Sequence, residues 1–298
     1  MTGGPLADKI ARRIRAEGPL SVAAYMAMAL YDPELGYYTT RQPIGSGGDF
    51  ITAPEISQIF GELIGLWCAL MWQRLGRPDR VILAELGPGS GTLAADLLRG
   101  AAVVPEFRRA LRLHLVEISP ILRAEQQRRL AAADPVWLKQ VDDLPDGTLL
   151  LVANEFLDAL PIRQLVRGAR HWAERMVALD REGRFAFVDG PESQVLSLLV
   201  PPALRDTAPP GSAYEICPPA LALATALGAR LRDAPGAALL IDYGRFPSAA
   251  GASLRAVRHH RPVGALEAPG SADLSADVDF AAFAEAAVAA GAAVHGPV

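Results

Sequence analysis

The sequence predicts an α/β fold. A mostly parallel sheet should be covered by helices on both faces, with an N-terminal helical cap and an antiparallel β insertion. Three observations lead to this. From about residue 79, short apolar runs alternate with helical stretches, as in a parallel sheet buried on both sides. The first of these runs ends in a glycine turn that opens a helix. Residues 163–215 then break the rhythm with strand-like segments around the turn dipeptide Glu182-Gly183.

Taken in order, residues 1–78 read as the helical cap. Leu6, Ile10 and Ile14 recur at helical spacing. Asp8 and Glu17 interrupt the arginines Arg12, Arg13 and Arg15, which argues for an ordinary first helix over a transit peptide. Ser21 should cap a second helix that stops at Asp32-Pro33. An irregular stretch, 36–54, is rich in glycine and aromatics. The helix after Pro54 is expected to turn Ile56, Ile59, Phe60, Leu63, Ile64 and Trp67 to one side. Residues 79–162 form the first part of the core, with strands over 81–86, 111–118, 136–141 and 148–153 and helices over 92–98 and 120–133. The insertion, 163–215, carries antiparallel strands at 164–166, 175–179 and 185–188. The core resumes over 216–298 with a helix at 218–232, a strand at 237–242, a long loop at 244–275, a helix at 277–290 and a last strand at 292–298.

Bulk properties exclude several function classes. The chain has 298 residues, 51% of them hydrophobic, with 29 basic against 33 acidic side chains and a net charge of −4. There is no basic surplus to neutralise nucleic-acid phosphates. The apolar segment 63–71 is far shorter than the roughly 20 residues of a membrane span, so no membrane insertion is expected. Cys68 and Cys217 have neither zinc spacing nor a disulfide framework, and the five histidines show no ligand pattern. A reducing, cytoplasmic setting fits these features.

The strongest local signal is Glu85-Leu86-Gly87-Pro88-Gly89-Ser90-Gly91, at a strand end before a helix. Glycines there let the backbone turn sharply and approach a ligand, and the helix start offers free N–H groups. A dinucleotide fingerprint, G-x-G-x-x-G/A, would place Thr92 at its last position, where it does not fit. Acid-x-G-x-G-x-G fits, and resembles the first motif of class I methyltransferases, whose Rossmann-like sheets bind S-adenosylmethionine. Gly87, Pro88, Gly89 and Gly91, with Glu85, are therefore cofactor candidates. Glu117 ends the second strand, where a carboxylate can accept hydrogen bonds from both ribose hydroxyls. Asp142 or Asp143, after the third strand, could receive the adenine amino group.

The fourth strand ends in Asn154-Glu155-Phe156-Leu157-Asp158. Ligands of open α/β sheets bind beyond the carboxyl ends of the strands, so Asn154, Glu155 and Asp158 are candidates for the reacting centre. Two carboxylates there could bind a cation, accept a proton, or serve structure alone. Arginine pairs strongly with carboxylates, which makes a protein arginine a plausible acceptor. Upstream, Asp49, Thr52 and Pro54 lie in a polar loop that could fold over the cofactor, and Thr52 with Glu55 matches a capping box.

Several separated motifs together resemble the MidA family. They are the run from Gly48 through Ser57 to Gly61, the Glu85 to Gly91 turn, Asn154 to Pro161, Leu30-Tyr31-Asp32-Pro33 with Gly36-Tyr37-Tyr38, Ile241-Asp242-Tyr243-Gly244 and Leu254-Arg255-Ala256. The family includes the mitochondrial complex I assembly-factor arginine methyltransferase and bacterial relatives. The resemblance implies a class I methyltransferase fold, S-adenosylmethionine, and a protein substrate with a target arginine, in the mitochondrial case on a complex I subunit. A mitochondrial-matrix location is implied for eukaryotic relatives. A homodimer is one assembly to test. A small-molecule N- or O-methyltransferase and a cofactor-binding assembly module without turnover remain open at this point.

Overall fold

The computed structural model describes residues 4–41 and 53–297. Its N-terminal helices are α1 (Pro5–Glu17) and α2 (Val22–Tyr31). Leu6, Ile10 and Ile14 are buried along α1, as their spacing requires. Ser21 caps α2 by accepting from the Ala24 backbone N–H at 3.1 Å. Next come α3 (Gln58–Arg74), β1 (Val81–Leu86), α4 (Thr92–Ala101), β2 (Leu111–Val116), α5 (Pro120–Leu130), β3 (Val136–Leu138) and β4 (Leu149–Asn154).

The second half contains β5 (Arg163–Arg167), β6 (Trp172–Leu179), β7 (Phe185–Ser193), β8 (Ala213–Ile216), α6 (Pro218–Asp233), β9 (Gly236–Ile241) and α7 (Phe280–Ala289). The central sheet runs β9-β4-β1-β2-β3 and every pairing in it is parallel. Leu83, Leu113, Leu150 and Val152 point to the face covered by α3 and α4. Ile82, Ala84, Leu149 and Leu151 point to the face covered by α6 and α7. Two-sided burial explains why these strands read as unbroken apolar runs.

Strand order reverses between β1 and β4, which opens a crevice at their carboxyl ends. The insertion strands β5, β6, β7 and β8 form an antiparallel sheet. A short strand, Leu20–Ser21, pairs antiparallel with β6, so the sheet also anchors the start of α2.

Three expectations are corrected. The helix after Pro54 is broken at Ser57 into Ala53–Ile56 and α3, and its buried face is Gly61, Ile64, Gly65, Cys68, Ala69 and Trp72. Ile64 is buried and Phe60 and Trp67 pack against the core as expected, but Ile56, Ile59 and Leu63 are 73%, 64% and 59% exposed, so apolar character alone marked only half of the face correctly. The physical reason is close packing: a Cβ on Gly65 would lie 2.2 Å from the Leu97 carbonyl oxygen, so α3 must turn its glycines to α4. Second, residues 292–297 form no strand; Gly296 and Pro297 break any extended run there.

Third, the loop 244–275 contains a three-stranded antiparallel sheet of Arg255–Arg258, Arg261–Val263 and Asp273–Ser275. Buried Glu215 holds this loop, accepting from the backbone N–H and hydroxyl of Ser253 and from Gln164 Nε2.

Candidate functional site

The crevice between β1 and β4 is built from the glycine turn on one side and Asn154-Glu155 on the other. Gly87, Gly89 and Gly91 all take positive φ, 59°, 54° and 81°. At Gly87 the need for glycine is also steric, because a Cβ would stand 2.8 Å from the Phe156 ring. The turn leads into α4, whose N-terminus carries no side-chain cap at Gly91. Ser90 and Thr92 hydroxyls both donate to Glu55 Oε1 at 2.6 Å. Glu55 therefore clasps the glycine turn. Its expected capping-box partner, Thr52, lies outside the described residues, as does Asp49. Pro54 is buried and lines a small recess with Glu85, Gly87, Asn154 and Glu155.

Beside the turn lies a cavity of about 540 Å³. Gly87, Gly89, Glu117, Asp142, Glu155 and the tyrosines Tyr31 and Tyr38 border it. Of the two adenine candidates, Asp142 faces the cavity. Asp143 does not line it and accepts from Gln140 Nε2 at 3.2 Å, so its side chain serves the local turn. Buried Glu117 accepts from the Ser119 backbone N–H at 2.8 Å and from Gln126 Nε2 at 3.2 Å. Burial raises its carboxyl above the usual range, and those two donors, the Ile118 N–H and the Arg123 guanidinium oppose the rise. A larger cavity of about 730 Å³ borders α6 and α7 but includes neither the glycine turn nor Glu117.

Glu85 tests the fit of the cofactor. It is 5% exposed, and its Oε2 has no hydrogen-bond partner among the described residues. Burial, reinforced by the charge of Glu117, pushes it up to about 8. A buried acceptor beside the glycine turn suits the ammonium of a methionine tail, and the Cβ-free turn gives that tail room.

At the other end, Glu155 sits in a left-handed conformation, φ 48°, with its N–H donating to the Ile241 carbonyl at 2.9 Å. Asn154 Nδ2 donates to Glu155 Oε1 at 3.3 Å. The next three backbone N–H groups, of Phe156, Leu157 and Asp158, converge on Asp242 Oδ2 at 2.8–3.2 Å. Asp158 is pushed well above the carboxylate range by burial, then by the charges of Asp242, Asp273 and Glu155, with Arg255 opposing. Tyr38 Oη donates to Asp273 Oδ1 at 2.7 Å, and Tyr38 stacks on Tyr31 with centroids 5.8 Å apart. Glu155 and Asp158 lie where their position after β4 predicts, whereas Tyr31, Tyr38 and Asp273 are neighbours that no local pattern indicates. A further neighbour, Asp242, carried a usable signal: it follows the carboxyl end of β9.

A family model described as “Putative S-adenosyl-L-methionine-dependent methyltransferase” matches residues 63–298. The chain belongs to this family. The methyltransferase is 37% identical over 298 residues to the protein named arginine methyltransferase NDUFAF7, mitochondrial, of Danio rerio, covering 91% of this chain and 69% of that one. The human protein of the same name is 34% identical over 306 residues, covering 93% and 67%. A Burkholderia thailandensis crystal structure bound to S-adenosyl-homocysteine superposes with a TM-score of 0.80 at 30% identity, covering 98% of this chain and 79% of that one. The MidA resemblance, the class I fold and S-adenosylmethionine as cofactor therefore stand.

The raised carboxyls of the methyltransferase set the direction of its pH response. A folded-state value above the ordinary 4.5 means that the folded protein holds the Glu85 proton more tightly than the unfolded chain. That stabilisation is complete below pH 4.5 and is lost as pH rises through about 8. Asp158 acts in the same direction. Without ligand, Tm is expected to fall by about 4–8 °C from pH 6 to pH 8, from roughly 2 kcal/mol of linkage. Glu85→Gln should flatten the slope; a Tm that rises over this range contradicts the assignment.

Proposed function

We propose that this methyltransferase transfers a methyl group to an arginine side chain of a protein substrate. The observation that carries the reading is the carboxylate cluster Glu155, Asp158, Asp242 and Asp273 at the cofactor crevice, where burial and the charges of the other three raise Asp158 and Arg255 opposes them. Such a cluster favours a cation, and a guanidinium offers paired N–H donors to match it. The names of the relatives support the same acceptor. Gly87, Pro88, Gly89 and Gly91 with Glu85 would hold the methionine portion of the cofactor, Glu117 the ribose and Asp142 the adenine. Pro54 would line the recess beside the glycine turn.

Bound S-adenosylmethionine supplies an electrophilic sulfonium methyl. The protein's part is alignment, which can contribute about 7–11 kcal/mol to lowering the barrier. Glu155, steadied by Asn154, would pair with the guanidinium and localise its charge so that one nitrogen presents a lone pair. The nitrogen that takes the methyl would lose its proton to a water, or to Asp158 once the acceptor's positive charge has favoured that carboxyl's ionised form. Stacked Tyr31 and Tyr38 would give the planar acceptor a face.

The finer parts of the reading are a complex I subunit as substrate, a homodimer and a cytoplasmic location. The MidA resemblance supports the first, and the relatives' names add a protein arginine as acceptor. The exposed apolar face of Ile59, Leu63 and Leu70 on α3 supports the second, and sedimentation analysis tests it. Among the described residues no helix is long and apolar enough to cross a membrane. The division into 1–78, 79–162, 163–215 and 216–298 belongs to the same reading, supported by the separate antiparallel sheet.

The test is incubation with radiolabelled S-adenosylmethionine and purified complex I subunits or cell lysate. Label recovered as methylarginine after protein hydrolysis is the expected result. Label confined to small molecules, or cofactor binding without any turnover, would overturn it.

A further inference from the structure

We propose that Gln126 is a positioning residue that locks the glycine turn to the ribose acid, so that both reach the cofactor as one unit. The proposal rests on the cofactor roles given above to Gly89 and Glu117. Gln126 lies on α5 and is fully buried. Its amide has one possible orientation. Trp137 Nε1 can only donate, and it reaches Gln126 Oε1 at 2.9 Å. The amide NH₂ is thereby turned the other way, donating to the Gly89 carbonyl at 2.7 Å and to Glu117 Oε2 at 3.2 Å.

One buried side chain thus ties together β3, the turn after β1 and the acid after β2. The same helix presses on the turn elsewhere: a Cβ on Gly91 would meet Leu130 at 3.3 Å and Gln126 at 3.4 Å. Buried polar groups with every partner supplied fix a single geometry, and breaking one leaves several atoms unsatisfied.

Gln126 also favours the ionised form of Glu117, the form that accepts from two hydroxyls. The other titratable groups near Glu117 are Glu85 from β1, Arg123 from α5, Tyr31 from α2, and Lys139 and Asp142, which border the same cavity. Two substitutions at this position should therefore respond to pH in opposite ways. Gln126→Leu removes the donor, so Glu117 takes up a proton more readily and binding weakens as pH falls. Gln126→Glu keeps the acceptor for Trp137. When protonated it still offers a donor, and when ionised it repels Glu117, so binding weakens as pH rises.

The experiment is calorimetric titration of the purified protein with S-adenosylhomocysteine from pH 6 to pH 8.5. Loss of a hydrogen bond to a charged group predicts a dissociation constant raised about tenfold or more for Gln126→Leu at pH 7. The turnover number at saturating S-adenosylmethionine should stay within about twofold. If the leucine variant does not fold, the glutamate variant decides by its slope. Wild-type affinity in these variants, or pH profiles parallel to wild type, overturns the proposal. Glu117→Ala separates the two levels of argument. If that variant binds S-adenosylhomocysteine normally, the cofactor reading itself fails; if it does not bind while the Gln126 variants match wild type, only this inference fails.

Discussion

Glu155→Gln should abolish methyl transfer, lowering turnover by at least about a hundredfold, while S-adenosylhomocysteine binds as to the wild type. The backbone position explains why the effect should be chemical. Glu155 holds φ at 48°, a conformation costly for a residue with a side chain, and the Ile241 carbonyl and the Asp242 carboxylate clamp it on both sides. Glutamine has the same shape and can adopt the same backbone, so the fold and the glycine turn stay as they are. What disappears is the negative charge that would pair with the acceptor guanidinium. The measurement is single-turnover transfer of labelled methyl at saturating cofactor, with calorimetry on the same preparation. Full turnover by this variant would remove Glu155 from the chemistry and leave Asp158 as the remaining carboxylate to test.

The cofactor side of this crevice was legible in the sequence because its determinants are local. The turn at Gly87 and the acid at Glu117 each follow directly on an apolar strand, so strand period and glycine spacing reveal them. The acceptor side was legible only in part. Glu155 and Asp158 follow the carboxyl end of β4 and could be found by that rule. Their companions arrive from far along the chain: Tyr38 from the helical cap, Asp242 from the end of β9 and Asp273 from the late three-stranded sheet. No spacing rule links them, because tertiary packing brings them together.

The misjudged face of α3 has a related cause. A pattern of isoleucines and leucines marks which residues are apolar, but not how close two helices must come. Gly61, Gly65 and Gly100 decided that, since each would place a Cβ within 2.5 Å of the opposite helix. The insertion was legible in outline, with β5, β6 and β7 near their expected places. β8 was missed because its four residues, Ala213–Ile216, are too short to show a period.

Gly87→Val should reduce affinity for S-adenosylhomocysteine by more than about a hundredfold, or some 3 kcal/mol. Two costs combine at this position. A branched side chain at φ 59° strains the backbone by roughly 1–2 kcal/mol, and its Cβ would stand 2.8 Å from the Phe156 ring. Relief requires the turn or the Phe156 ring to move, and because both line the same cavity either movement reshapes the place where the cofactor tail would lie. Gly183→Val supplies the control, because Gly183 also has positive φ, 78°, but has open space around it and lies in the β6–β7 hairpin. Backbone strain alone would lower Tm in both variants and spare ligand binding in both. The proposed role requires binding to be lost at position 87 and kept at 183, with calorimetry and thermal denaturation run side by side. Retained affinity at position 87 would mean that the glycine turn serves only to join β1 to α4, and that the nucleoside is held from elsewhere in the cavity.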